Sequence, residues 1–131
     1  MTITTKKQQR VNRQDREIVI SGWRPHTLNQ LMRVHWSKRR KAKASDAMVI
    51  AAELHRAGMP KAECPRELEV VWVVGPHPDQ APDPDNIWKS LLDALVSCGA
   101  LVDDCRHFCR LRYLRFERSD AKGIKIRLKD V

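Results

Sequence analysis

Glu67-Leu68-Glu69-Val70-Val71-Trp72-Val73-Val74, followed by Gly75 and a proline-rich run to Pro84, is the stretch from which the fold is read. Leu68 and the unbroken Val70-Val71-Trp72-Val73-Val74 run predict a central strand buried on both faces. Pro76, Pro78, Pro82 and Pro84 forbid regular structure between Gly75 and Pro84. A helix is expected from about Asp85 or Asn86 to Ser97, stopped by Gly99. Farther on, residues 107–117 predict a strand and Ser119 to Gly123 a turn. Ile124, Ile126 and Leu128 then alternate with Lys125, Arg127 and Lys129, the pattern of a half-exposed strand. Upstream, Glu17 to Ser21 predicts a first strand ended by Gly22-Trp23-Arg24-Pro25, and a loop runs to about Trp36. Ser37 is the expected N-cap of a helix that reaches Arg56 and is closed by Gly58 and Pro60. The order β-α-β-α-β-β implies an α+β (α/β-like) fold: one mixed sheet of about four strands packed with two helices.

The chain of 131 residues has room for one core, expected over 15–131, with a disordered basic arm over 1–14. Its start is polar and basic without an apolar stretch, so no ordinary signal peptide and a cytoplasmic protein are expected. No apolar run is long enough to span a membrane.

The helix after the proline run is apolar around most of its circumference. Ile87, Leu91, Ala94, Leu95 and Cys98 share one face, and Trp88, Leu92 and Val96 widen it. Only Asn86, Lys89, Asp93 and Ser97 form a polar stripe. Such a helix is packed on two sides, by a second subunit, a loop or the first helix.

The formal net charge of +9 suits a polyanionic partner, with DNA or RNA the first candidates. The charge is unevenly distributed. Arg33, Lys38, Arg39, Arg40, Lys41 and Lys43 form an acid-free basic run. Between Asp79 and Asp104 the sign reverses: Asp79, Asp83, Asp85, Asp93, Asp103 and Asp104 stand against Lys89 alone. Carboxylates repel phosphates, so a simple binding module gains nothing from this island. A nuclease does gain, because clustered carboxylates hold divalent ions while basic surroundings hold the DNA backbone.

Asp83 and Asp85 stand two apart at the entrance of the expected helix, and Lys89 follows one turn later. Asp103-Asp104 ends the short return from that helix, and comes back to the same place if the following strand pairs with strand 67–74. Phosphodiester hydrolysis needs an activated water, stabilisation of developing negative charge and help for the leaving 3′ oxygen. Magnesium on three carboxylates with a nearby lysine supplies these. The plainer reading has Asp85 capping the helix and Lys89 pairing with it.

The stretch from Asp83 to Asp104 resembles the RusA-type Holliday junction resolvases, a family of prophages and bacteria. It carries Asp-x-Asp-Asn (Asp83 to Asn86), Lys89, Asp93-Ala94-Leu95, Gly99 and Asp103-Asp104 at that family's separations. The N-terminal third matches only through Pro25, Asn29 and a following basic helix, so the resemblance covers about half the chain. It implies a crossover junction endodeoxyribonuclease of DNA recombination and repair, a homodimer that nicks opposite strands of a four-way junction. Asp83, Asp85 and Asp104 would then be the catalytic, Mg²⁺-binding carboxylates, with Mn²⁺ substituting, and Lys89 would aid cleavage. Asn86 and Asp93 would be supporting residues and Asp103 a neighbour. Pro82 departs from the family, whose members often carry a basic residue there. The alternatives are a nuclease preferring flaps or forks, and a junction-binding protein without turnover.

Arg24, Arg33, Lys38, Arg39, Arg40 and Lys43 are candidate DNA contacts from the N-terminal half, and Arg106, Arg110, Arg112 and Arg115 from the strand after Asp104. Trp23 and Trp36 flank the basic loop and suit either base stacking or the core. Trp72 and Trp88 read as core or interface residues. Cys98, Cys105, His107 and Cys109 lack the paired spacing of structural zinc, and Leu111 and Tyr113 continue their face as core, so free thiols are expected. A catalytic-base role for His107 is the remaining alternative.

Overall fold

β1 (Asp15–Ser21) leads through α1 (Leu28–Met32) into α2 (Trp36–Arg56). β2 (Arg66–Val74), α3 (Pro84–Ser97), β3 (Cys109–Arg118) and β4 (Gly123–Asp130) follow. The computed structural model describes residues 13–76 and 81–131. Most of the expected arm, with Asp79 and its loop neighbours, therefore lies outside the described residues. The strands form one mixed sheet in the order β1-β4-β2-β3, the expected α+β architecture. β4 runs antiparallel to β1 and β2, whereas β3 runs parallel to β2. β1, β2 and β3 thus point the same way, and both crossovers return through helices.

Alternation puts the apolar residues of each strand on one face. Ile18, Ile126, Val70 and Leu114 form one cross-strand row, and Ile20, Ile124, Trp72 and Phe116 the next. Ala47, Ile50 and Leu54 of α2 and Ile87, Leu91, Ala94 and Leu95 of α3 close over these rows in one core. Each fully buried Leu or Ile contributes about 1.5–3 kcal/mol. Gly123 starts β4 so close to β1 that a Cβ there would lie 2.5 Å from the Ile20 carbonyl oxygen. Trp88, Leu92 and Val96, the wide side of α3, are partly buried against the same core. α3 packs against both α1 and α2, so the first helix fills part of its second side.

Several expectations are corrected. The loop before Trp36 contains α1, because Thr27 and Gln30 form a reciprocal capping box with bonds of 3.3 and 2.9 Å. α2 starts two residues early, at Trp36, and is capped by the His35 ring, not by Ser37. Pro84 is the first residue of α3, where its fixed φ and missing N–H do no harm. β1 begins at Asp15, and the expected arm is anchored at Gln14, which exchanges hydrogen bonds with Asp130. β3 begins at Cys109 rather than 107.

β2 is central, as expected, but not buried on both faces. Its second face is half-buried at Glu67, Glu69 and Val71 and buried only at Val73. That face is covered by charged side chains in alternating columns. Arg127 of β4 clasps Asp15 of β1 through bonds of 2.8 and 2.9 Å and reaches Glu69 of β2 at 3.5 Å. Lys125 bonds Glu117 at 3.1 Å, and Arg112 approaches Glu67 at 3.7 Å. The Asp15 carboxyl is held below its ordinary value by the Arg127 bond, and Arg127 is raised in return. Leu111 pairs with the buried Leu68 but lies on the edge strand and stays 46% exposed, so it is not core; the register shift at Leu68/Glu69 then puts Tyr113 beside Glu69, on the other face.

Candidate active site

Asp83 holds the N-cap position of α3 in extended backbone, yet its side chain makes no capping bond. Its backbone carbonyl accepts the Asn86 N–H at 3.0 Å instead. Asp85 lies in the first turn, where the helix dipole favours negative charge. Asp83, Asp85 and Lys89 are exposed and Asn86 is half-buried. Because β2 ends at Val74 and α3 starts at Pro84, this pair stands at the carboxyl edge of the parallel strands. Open α/β sheets bind ligands at that edge.

Asp103 and Asp104 occupy the other edge. Gly99, at φ +82°, ends α3, and the Ala62 N–H donates to its carbonyl at 2.8 Å. Arg66, the first residue of β2, donates to the Ala100 carbonyl at 2.9 Å. Asp104 follows, exposed, with its N–H donating to the Asp103 carboxylate at 2.7 Å. Its carboxyl is raised above the ordinary value, chiefly by hydrogen bonding to the Asp103 side chain and further by the charges of Asp103 and Asp93. Cys109, the first residue of β3, is pushed up to about 11 by burial and by the Asp104 charge.

The expected return of Asp103-Asp104 to Asp83 and Asp85 is therefore not seen within one chain. The pairing on which it depended does form, but in parallel, so the chain must traverse α3 before entering β3. Fourteen helical residues span about 21 Å. Among the described residues no group of three or more His, Cys, Asp or Glu side chains is close enough to hold a metal ion. Asp93 lies between the two ends, exposed, with Lys43 of α2 at 3.8 Å.

The candidate DNA contacts separate by their partners. Arg33, Lys38, Arg40, Arg106 and Arg110 are exposed. Arg39 is engaged in the chain itself, donating to the Leu31 and Val34 carbonyls at 2.9 and 3.4 Å. Arg112 pairs with Glu67, and Arg115 lies over the Tyr113 ring at 4.0 Å. As a test of the expected DNA contacts, Arg40→Ala should weaken any binding to branched DNA and reduce the salt slope of log affinity by about 1. Arg112→Ala should leave that slope unchanged, because its charge is already opposed; fluorescence-anisotropy titrations across a salt series measure both.

Sequence reasoning missed the pair formed by His26 and Asp46. Asp46 is 4% exposed on α2 and accepts the His26 backbone N–H at 2.8 Å and approaches its Nδ1 at 2.9 Å. This pins the loop after β1 onto α2. The available signal was an acid at a helical position that shares a face with Ile50 and Leu54. Asp46 also lines a cleft of about 250 Å³ with Leu31, Arg40, Lys43, Ser90 and Asp93. Trp36 is 67% exposed, Trp23 is partly buried against the core and Trp72 is buried within it. The four cysteines are free, with Cys109 buried and Cys105 exposed, and His107 packs edge-on against Phe108.

No protein-family model and no curated protein matches the chain. Among the described residues, no helix is long and apolar enough to cross a membrane.

Proposed function

We propose that the chain is a Mg²⁺-dependent, structure-specific endodeoxyribonuclease that resolves four-way junctions as a cytoplasmic homodimer. The observation that carries this reading is the Asp83–Asp85 pair, exposed and uncapped at a helix entrance with Lys89 one turn on. Among the described residues the Asp83 side chain makes no capping bond, and both carboxylates face solvent. The exposed basic side chains from Arg33 to Arg40 give a DNA backbone its counter-charge.

The donor set fits the metal: Asp83, Asp85 and Asp104 offer hard, solvent-facing oxygens. Their separation within one chain supports a site shared between two copies. Two chains related by a twofold axis with antiparallel α3 helices set Asp83 and Asp85 of each beside Asp104 of the other. These carboxylates would hold the ion, which when bound lowers the pKa of water and offsets charge on the phosphate. Lys89 adds a fixed positive charge beside the pair. Two such sites would face opposite strands of a junction.

The test is cleavage of a synthetic mobile four-way junction with Mg²⁺ or with EDTA, beside Asp85→Asn. Paired symmetric nicks needing both the metal and Asp85 are expected. Stronger cutting of flaps or forks would shift the substrate class, and tight binding without cuts under any divalent ion would leave a junction-binding protein.

A further inference from the structure

Arg24 sits on the loop leaving β1, and its surroundings fix its head group. Its guanidinium carbon lies 4.9 Å from the centroid of the Trp72 ring, and Nη1 donates to the Val73 carbonyl at 3.2 Å. Trp72 and Val73 are near the carboxyl end of β2, so Arg24 is held at the edge from which the chain proceeds to Asp83. Four residues on, α1 packs against α3, so this loop runs beside the helix that carries Asp85.

The side chain is half-buried, and burial pulls its pKa below the ordinary arginine value. Among the described residues it has no carboxylate within ion-pair distance, unlike the buried Arg66 or the sheet-face Arg127. A partly desolvated cation without a counter-charge is costly unless an anion completes it. Among the described residues its one hydrogen bond leaves most of the guanidinium donors for that anion.

On the nuclease reading above, we propose that Arg24 is a further catalytic residue, whose guanidinium grips a non-bridging oxygen of the phosphate under attack. Water oxygen forms the new bond to phosphorus, and the bond to the 3′ oxygen breaks with its electron pair on that oxygen. The 3′ oxygen takes a proton, giving a 5′-phosphate and a 3′-hydroxyl. Arg24 stays protonated throughout. It offsets the negative charge that grows on the non-bridging oxygens, which an arginine fork held by a ring and a carbonyl does without reorganising.

The experiment is single-turnover junction cleavage by the full chain and by Arg24→Ala and Arg24→Lys, with junction affinity measured separately in EDTA. Arg24→Ala is expected to cut about 100-fold more slowly, with affinity changed less than about threefold. Added guanidinium ion should restore part of the Arg24→Ala rate and none of the Asp85→Asn rate. Arg24→Lys retains a cation over Trp72, so a slowed but folded lysine variant supports the proposal even if the alanine variant melts. If the wild type cuts and either folded variant cuts equally fast, the proposal is overturned and the nuclease reading stands. A rate loss matched by an equal loss of affinity also overturns it, leaving Arg24 an ordinary backbone contact. A wild type that cuts no branched DNA removes both.

Discussion

On the proposed nuclease with sites shared between two copies, Asp85→Asn and Asp104→Asn chains, each inactive alone, are expected to recover junction nicking when mixed. Removing one metal-binding carboxylate forfeits several kcal/mol of charge stabilisation, and a loss of about 4 kcal/mol is roughly 10³-fold in rate. Each pure variant should therefore fall by that amount. The expectation for the mixture follows from the position of the two residues at opposite edges of the parallel strands. In a dimer with shared sites, one site of a mixed pair carries both substitutions and the other carries neither. Random exchange then restores about a quarter of the wild-type sites.

The product should change as well as the rate. A mixed dimer has one competent site, so it nicks one strand and does not complete resolution. Unpaired nicks on a labelled four-way junction, seen by denaturing electrophoresis, would be the signature. If mixing restores nothing while the wild type remains active, each site is built within one chain and the loop carrying Asp104 must move a long way on binding DNA. Exchange must be checked independently, for example by co-purification of differently tagged chains.

That experiment turns on the separation of Asp104 from Asp83 and Asp85, which the spacing of the acids did not show. Local pattern was enough for β2, β4 and α3: the apolar run Val70 to Val74 located β2 though not its half-buried second face, Ile124, Ile126 and Leu128 alternate, and Ile87, Leu91, Ala94 and Leu95 repeat at helical spacing. The Asp83–Asp85 pair at a helix entrance was legible for the same reason. The edge at which Asp104 falls follows from the crossover, since a helix between β2 and β3 carries the chain back to the start of β2 and makes the pair parallel, a consequence the spacing of the acids alone does not show. That Tyr113 leaves the face of Cys109 and Leu111 depends on a register shift between strands, again a nonlocal property. α1 escaped notice because five residues carry too little periodicity, although Thr27 and Gln30 held its capping signal. The alternating charge columns on the second sheet face became visible only with the order β1-β4-β2-β3, which sets Arg127 between Asp15 and Glu69.

Arg66→Ala is expected to destabilise the fold by about 3–5 kcal/mol, the scale of a broken buried ion pair. Arg66 has 1% side-chain exposure, and its donors reach three separate segments. Nε bonds the Asp130 carboxylate at 2.8 Å, Nη1 the Ala100 carbonyl at 2.9 Å and Nη2 the Pro60 carbonyl at 2.9 Å. Removing it leaves a largely buried carboxylate and two carbonyls without their partner. Asp130→Asn should cost less, because an amide oxygen still accepts a bond. The same pair makes stability depend on pH. Burial pushes the Asp130 carboxyl up, but the Gln14 N–H and the Arg66 guanidinium outweigh it, so the folded value lies below the ordinary one. The unfolded chain therefore takes up a proton at Asp130 before the folded chain does. The pair's contribution is fully present above the ordinary carboxylate value and is lost as pH falls through the folded one. Urea unfolding of the wild type, Arg66→Ala and Asp130→Asn from neutral to acid pH measures both effects. Wild type and Asp130→Asn should converge in stability at the acid end, where the Asp130 carboxyl is neutral in both states. If they stay parallel across the range, Asp130 does not carry the linkage. An Arg66→Ala loss below about 1 kcal/mol, the scale of an exposed pair, would mean that the three segments hold together without the guanidinium.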